Sequence, residues 1–224
     1  MTRTRLEDPF YKIGIDVIGP LPKDDLSFRY IVAATDYTTR WAQVNPLKKK
    51  SKECIANFIY SQVFLRNGPP KQIVSDQGSK FVNNIVKELT KRMNTRHTTT
   101  SAYHPQANWT AERFNKTFIR KLAKILNGDL SKWSEMVDTE RFLYNTTPIA
   151  SLKASPSKIL YGRDVYDFEM TEMVGKEASP NTTLCSIEKV RQELVKQVKE
   201  VRERENFSMK GGKPPDDLVK GQFV

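Results

Sequence analysis

Histidine and cysteine are scarce. The 224 residues contain two of each, His97, His104, Cys54 and Cys185. None of them forms a paired Cys or His spacing, which argues against a structural zinc site built within the chain and against a disulfide framework, and favours a reducing compartment. Long apolar runs are also missing. No stretch approaches the roughly 20 residues of a membrane helix, and the start, MTRTRLEDPF, lacks the apolar region of a secretory signal. No membrane partner is expected by insertion, and no internal repeat is visible. Acid is in the minority, with 26 Asp and Glu against 37 Lys and Arg, a net charge of +11. That surplus calls for a polyanionic partner, and by itself it does not separate nucleic acid from a membrane surface. The 38% of hydrophobic residues suffices for the core of one medium domain with a polar appendage.

What is present begins with strands. KIGIDVIG (Lys12–Gly19), FRYIVAAT (Phe28–Thr35) and Ala42–Leu47 read as an antiparallel meander, with a turn at DYTTR and with Asp24-Asp25 in the loop before the second strand. The period then becomes helical. Ser51 is an N-cap candidate ahead of Ile55, Phe58, Ile59 and Val63, and Asn67-Gly68-Pro69-Pro70 stops that helix. A short strand (Lys71–Ser75), a helix (Asn84–Met93), a strand (Arg96–Ala102) and a long helix from near Asn108 to about Leu126 follow. Ser131 is expected to cap a further helix carrying Trp133, Met136, Val137 and Phe142. A meander feeding strand–helix alternation predicts an α/β fold with a mixed five-stranded sheet and helices on both faces. Residues 151–168 read as irregular, broken by Pro156 and Gly162. Residues 169–182 read as a linker, 183–206 as a charged helix with Ile187, Val190, Leu194, Val198 and Val201 on a narrow stripe, and 207–224 as the start of a further domain.

Three acids stand at places where strand ends and helix starts converge in an open sheet. Asp16 lies inside the first strand, Asp76 directly follows the fourth, and Glu112 lies in the first turns of the long helix. A carboxylate inside an apolar strand needs a compensating partner. Three together repel one another unless a cation lies between them. Oxygen-only ligands select hard cations, Mg²⁺ or Mn²⁺. The bland alternatives are that Asp76 caps the Asp-Gln-Gly-Ser turn and that Glu112 is a solvated helix residue.

The segments KIGIDVIGPLP, IVSDQGSKF and TTSAYHPQANWTAERFNKTF resemble, in order and each around one of these acids, the catalytic core of retroviral-type integrases, above all those of gypsy-type LTR retrotransposons. Thirty-five residues, 77 to 111, separate Asp76 from Glu112, as in that family's acid triad, and LYNTTPIASLKASPSKILYGR is similar to the segment after its core. The resemblance covers roughly Pro9 to Phe168. It implies an RNase H-like fold with a C-terminal helical extension, and a domain over residues 10–168 preceded by a lead-in, 1–9. It further implies two divalent ions held by Asp16, Asp76 and Glu112, and polynucleotidyl transfer: 3′-end processing and strand transfer of element DNA into target DNA.

The resemblance also implies DNA contacts through Tyr103, Gln106, Asn108 and Lys116. Arg120 joins Lys116 along the helix face of Glu112 by its spacing. A solvated basic face is the alternative for both cations. Trp41 and Trp133 read as core or interface anchors, His104 as part of a loop-shaping His-Pro-Gln turn, and Lys48-Lys49-Lys50 as an exposed run that adds non-specific DNA affinity or an import signal. The expected partners are element-end and target DNA and further copies of the chain. The expected location is the nucleus, after the cytoplasm. Two features depart from the family pattern. The N-terminal zinc-binding module is missing, and Trp109 stands where the family commonly has Gly. Its ring is open to three fates: stacking on a base, crowding the metal site, or neither. Two competing readings are a non-catalytic, element-derived DNA-binding or interaction protein, and an RNA-hybrid nuclease of the same fold.

Overall fold

The computed structural model describes residues 8–100 and 109–165, together with Glu193, Lys196 and Val201. Its contacts divide the chain into two compact units, Met1–Thr147 and Pro148–Val224.

The first unit is built on a five-stranded sheet. Strands β1 (Lys12–Ile18), β2 (Tyr30–Asp36) and β3 (Ala42–Leu47) form the expected meander, while β4 (Gln72–Ser75) and β5 (Arg96–Thr99) add to the other side of β1. The order is β3-β2-β1-β4-β5. β1–β2 and β2–β3 are antiparallel, and β1–β4 and β4–β5 are parallel. This is the mixed, RNase H-like sheet predicted from the sequence.

Helices cover both faces. On one face Ile13, Ile15, Val32, Ala34 and Ile73 meet Ile55, Phe58, Ile59 and Val63 and, from the helix after β4, Val86. The first of these helices opens as α1 (Lys52–Phe58), continues through a wider π-helical stretch (Ile59–Phe64), and closes with one turn, α2 (Leu65–Asn67). Ser51 is its cap, its Oγ accepting from the Cys54 N–H at 3.3 Å, and Gly68 ends it at φ 80°. α3 (Asn84–Arg92) starts from Asn83, whose side chain accepts from the Val86 N–H. The other face takes α4 (Trp109–Leu126), which packs on β1 and β2, and α5 (Trp133–Thr146), which packs on β3 and on α4.

Two local expectations are corrected. Ser131 does not cap α5. Asp129 caps a 3₁₀ turn (Leu130–Lys132), accepting from both the N–H and the hydroxyl of Ser131, and α5 then begins at Trp133 without a side-chain cap. A carboxylate two residues upstream reaches the free N–H groups and so takes the capping role from the serine. Nor are residues 151–168 irregular throughout. In the second unit Ser155 caps a helix, α6 (Pro156–Tyr161), with Pro156 in its first turn and Gly162 closing it at φ 71°. Proline at the first helical position starts a helix, because the N–H it lacks would be unpaired there anyway. Leu152, Ala154 and Ile159 form that unit's small core, with Ile149 and Val201 packed against it. Glu193, Lys196 and Val201 are helical; Ile187, Val190, Leu194 and Val198 lie outside the described residues.

Candidate active site

Strand parity explains the carboxylate in β1. Side chains alternate along a strand, so Ile13 and Ile15 enter the core beneath α1, while Gly14 and Asp16 face α4. Gly14 pairs with Val74 across the parallel β1–β4 ladder. Continued two residues, that register brings Asp76 level with Asp16 on the same face. α4 supplies the third wall. Its buried stripe, Ala111, Phe114, Phe118 and Leu122, turns inward, leaving Glu112, Lys116 and Arg120 exposed. Phe114 is locked edge-on against Tyr144 of α5 at 4.7 Å between ring centres. At the start of α4, Arg40 from the β2–β3 turn donates to the Thr110 hydroxyl.

Each acid has its own donors. Asp16 Oδ1 accepts from the Val17 N–H at 2.7 Å, and Oδ2 accepts from Asn115 Nδ2 at 2.8 Å. Burial raises the Asp16 carboxyl above its ordinary range; the Val17 N–H and the Lys80 charge oppose this, and the Asp76 and Glu112 carboxylates reinforce it. Asp76 Oδ1 accepts from the Gly78 N–H at 2.7 Å and Oδ2 from Lys80 Nζ at 2.9 Å. Asp76 therefore does organise its own turn, as the bland alternative held, and it also faces Asp16. Gly78 leaves that carboxylate room: a Cβ would come within 2.8 Å of Asp76 Oδ1 and the carboxylate would have to shift. Glu112 is solvent-exposed in the first turn of α4.

Asp16 thus feels both other acids, yet among the described residues no three His, Cys, Asp or Glu side chains draw together as a metal-binding group. Like charges repel, and here separate donors hold Asp16 and Asp76. The chemistry of the site nonetheless suits a hard cation. The donors are oxygens, and Asn115 Oδ1 is buried beside Asp16 without a hydrogen-bond partner among the described residues. An acceptor with open lone pairs next to a carboxylate fits a cation or its bound water.

Asn115, Gly78 and Lys80 were not singled out from the sequence. Their signals were an amide three residues after Glu112 on the inward side of an amphipathic helix, and a Gly and a Lys two and four residues after Asp76. Tyr103, Gln106, Asn108 and His104 lie outside the described residues, as does the ring of Trp109, which is the first residue of α4.

His97 of β5 lies beside this region. Its Nε2 is 2.8 Å from Ser75 Oγ, which donates to the Asp76 carbonyl at 2.9 Å. The pair braces the Asp76 turn. Burial lowers the His97 pKa, which favours the neutral imidazole.

Residues 7–105 match the integrase core domain family. This part of the chain is similar to integrase core domains. The match spans Asp16 and Asp76 and ends before Glu112. The Retrovirus-related Pol polyprotein from transposon 412 of Drosophila melanogaster is 27% identical over 157 residues, 70% of this chain and 13% of that protein. The Pro-Pol polyprotein of feline foamy virus is 28% identical over 156 residues, again 70% of this chain and 13% of the relative. Gypsy retrotransposon integrase-like protein 1 of Homo sapiens is 24% identical over 180 residues, 80% of this chain and 34% of that protein. The chain thus spans about an eighth of the length of the Pol polyproteins it matches. The integrase core, with its RNase H-like sheet, is the family that the three motifs pointed to.

Proposed function

We propose that this chain supplies the catalytic core of a retroelement integrase, carrying out divalent-metal-dependent 3′-end processing and strand transfer of element DNA into target DNA. The observation that carries the reading is Asp16. In a stretch similar to integrase core domains, a half-buried carboxylate on the central strand feels the charges of Asp76 and Glu112 and is oriented by Asn115. Asp16, Asp76 and Glu112 would hold Mg²⁺ or Mn²⁺, two ions as the family implies. Bound there, such ions activate a water or 3′-hydroxyl and offset charge on the phosphate and the leaving oxygen.

The chain's own residues do the positioning. The Val17 N–H and the Asn115 amide fix both Asp16 oxygens, and the Gly78 N–H fixes one oxygen of Asp76. Lys116 and Arg120, exposed along the face of Glu112, hold DNA phosphates near the acids. Tyr103, Gln106 and Asn108 are proposed to add contacts at the DNA end. Association of further copies and action in the nucleus, where target DNA resides, complete the proposal. No described helix is long and apolar enough to cross a membrane.

The test is strand transfer of element-end DNA in Mg²⁺ or Mn²⁺, with this chain and with a version extended at both ends. Metal-dependent product that Asp16→Asn, Asp76→Asn and Glu112→Gln each abolish is expected. Product that survives these substitutions would overturn the reading. One observation favours the non-catalytic alternative: the three acids do not close into one group among the described residues. DNA binding without transfer in both versions would support it.

A further inference from the structure

Lys80 holds a place that the proposed chemistry leaves unexplained. Its Nζ is 2.9 Å from Asp76 Oδ2, and its side chain is only 20% exposed. The ammonium also lies 4.9 Å from the centre of the Phe81 ring. Phe81 is buried in the core beneath the sheet, so this platform is fixed. The turn that delivers Lys80 is closed by the N–H groups of Phe81 and Val82, which donate to the Gly78 carbonyl at 2.9 and 3.0 Å. The same ammonium favours the ionised form of Asp16. One cation therefore pairs with Asp76 and is felt by Asp16 as well.

We propose that Lys80 is a resident counter-cation of the acidic site, competing with a divalent ion for the Asp76 carboxylate. Asp76 has two oxygens. Oδ1 is taken by the Gly78 N–H and Oδ2 by Lys80. An ion that binds Asp76 must displace the ammonium from Oδ2 or share the carboxylate with a like charge. A partly exposed ion pair is worth up to about 1 kcal/mol, which corresponds to about a fivefold penalty in metal affinity. Lys80 is a positioning residue in this scheme. It neutralises the acids until the ion arrives, and once displaced its flexible stem and three donors are available to a phosphate.

The inference rests on the metal-site reading, and the experiment separates the two. Mn²⁺ is titrated calorimetrically into the full chain and into Lys80→Met, Lys80→Gln, Lys80→Arg and Asp16→Asn, with folding checked by circular dichroism. The expected result is saturable binding that Asp16→Asn abolishes, tightened about fivefold in Lys80→Met and Lys80→Gln and not in Lys80→Arg. Equal or weaker binding in the folded Met and Gln variants overturns the competition and leaves the metal site standing. No Asp16-dependent binding in any variant overturns the metal site and the competition with it.

Discussion

At the scale of single residues, the site depends on atoms that orient acids as much as on the acids. Glu112→Gln keeps the size and helix preference of the side chain and removes its charge. Strand transfer is expected to fall by at least about 100-fold, since even outer-sphere changes at metal sites cost up to that much, while the melting temperature and most DNA affinity stay unchanged. Gly78→Ala sets a methyl 2.8 Å from Asp76 Oδ1 and must move that carboxylate. Misplaced reacting groups lose rate steeply, so Gly78→Ala should slow transfer while remaining folded and DNA-bound. Undiminished transfer would show that the Asp76 turn tolerates the shift and that its geometry is not limiting. Lys116 makes a different kind of prediction. If it meets a phosphate, Lys116→Ala lowers the slope of log affinity against log salt by about one unit; an unchanged slope makes it a solvated surface cation.

At the scale of elements, α4 and α5 hold the site through contacts far from the acids. β3 is an edge strand, and edge strands need covering. Asn145 of α5 does this: its Oδ1 accepts from the Ala42 N–H and its Nδ2 donates to the Ala42 carbonyl, both at 2.9 Å. One buried amide thus pairs with the strand edge as another strand would. Asn145→Ala leaves both backbone groups without partners and is expected to cost about 2–3 kcal/mol, read as a lower urea midpoint. Trp133 ties α5 to the loop before β2, with its indole N–H donating to the Pro22 carbonyl at 2.8 Å and its ring edge-on to Phe28. It is a core anchor, as read from the sequence. Of the Lys48–Lys50 run, Lys48 and Lys50 lie over the rings of Phe28 and Tyr30 while remaining exposed.

For the molecule as a whole, the most telling buried charge is Glu140. It is 1% exposed on α5, and its Oε1 has no hydrogen-bond partner among the described residues. Burial pushes its carboxyl from an ordinary 4.5 up to about 7, with the Lys121 charge opposing. The sign follows from proton counting. Between those two values the unfolded chain has lost this proton and the folded chain keeps it, so Glu140 makes stability fall as pH rises across that window. Glu140→Gln should flatten that part of the profile, as measured by melting temperature from pH 4.5 to 7.5. A profile identical to the parent's would place the carboxylate in contact with a compensating partner.

Strand and helix positions were legible because alternation and helical spacing are local: β3 runs Ala42–Leu47 as expected, and α4 ends at Leu126 before Asn127-Gly128. The capping of the 3₁₀ turn by Asp129 was misread because two neighbouring residues can each fill a cap and the tertiary path chooses one, and α6 was missed because Pro156 and Gly162, which open and close it, also read as breakers. The acids were legible as single residues in their motifs. Their meeting at converging strand ends and a helix start was expected from the sequence, while the level at which Asp16 and Asp76 stand follows from the parallel β1–β4 register and from which face of the sheet α4 covers. Sequence alone determined the fold class, the basic balance and the three carboxylates. The tertiary structure decided that Asn115 reaches Asp16, that Asp76 is shared between Gly78 and Lys80, and that Asn145 closes the edge of β3. Each is a contact between atoms whose separation depends on how helices and turns pack, which no local periodicity encodes.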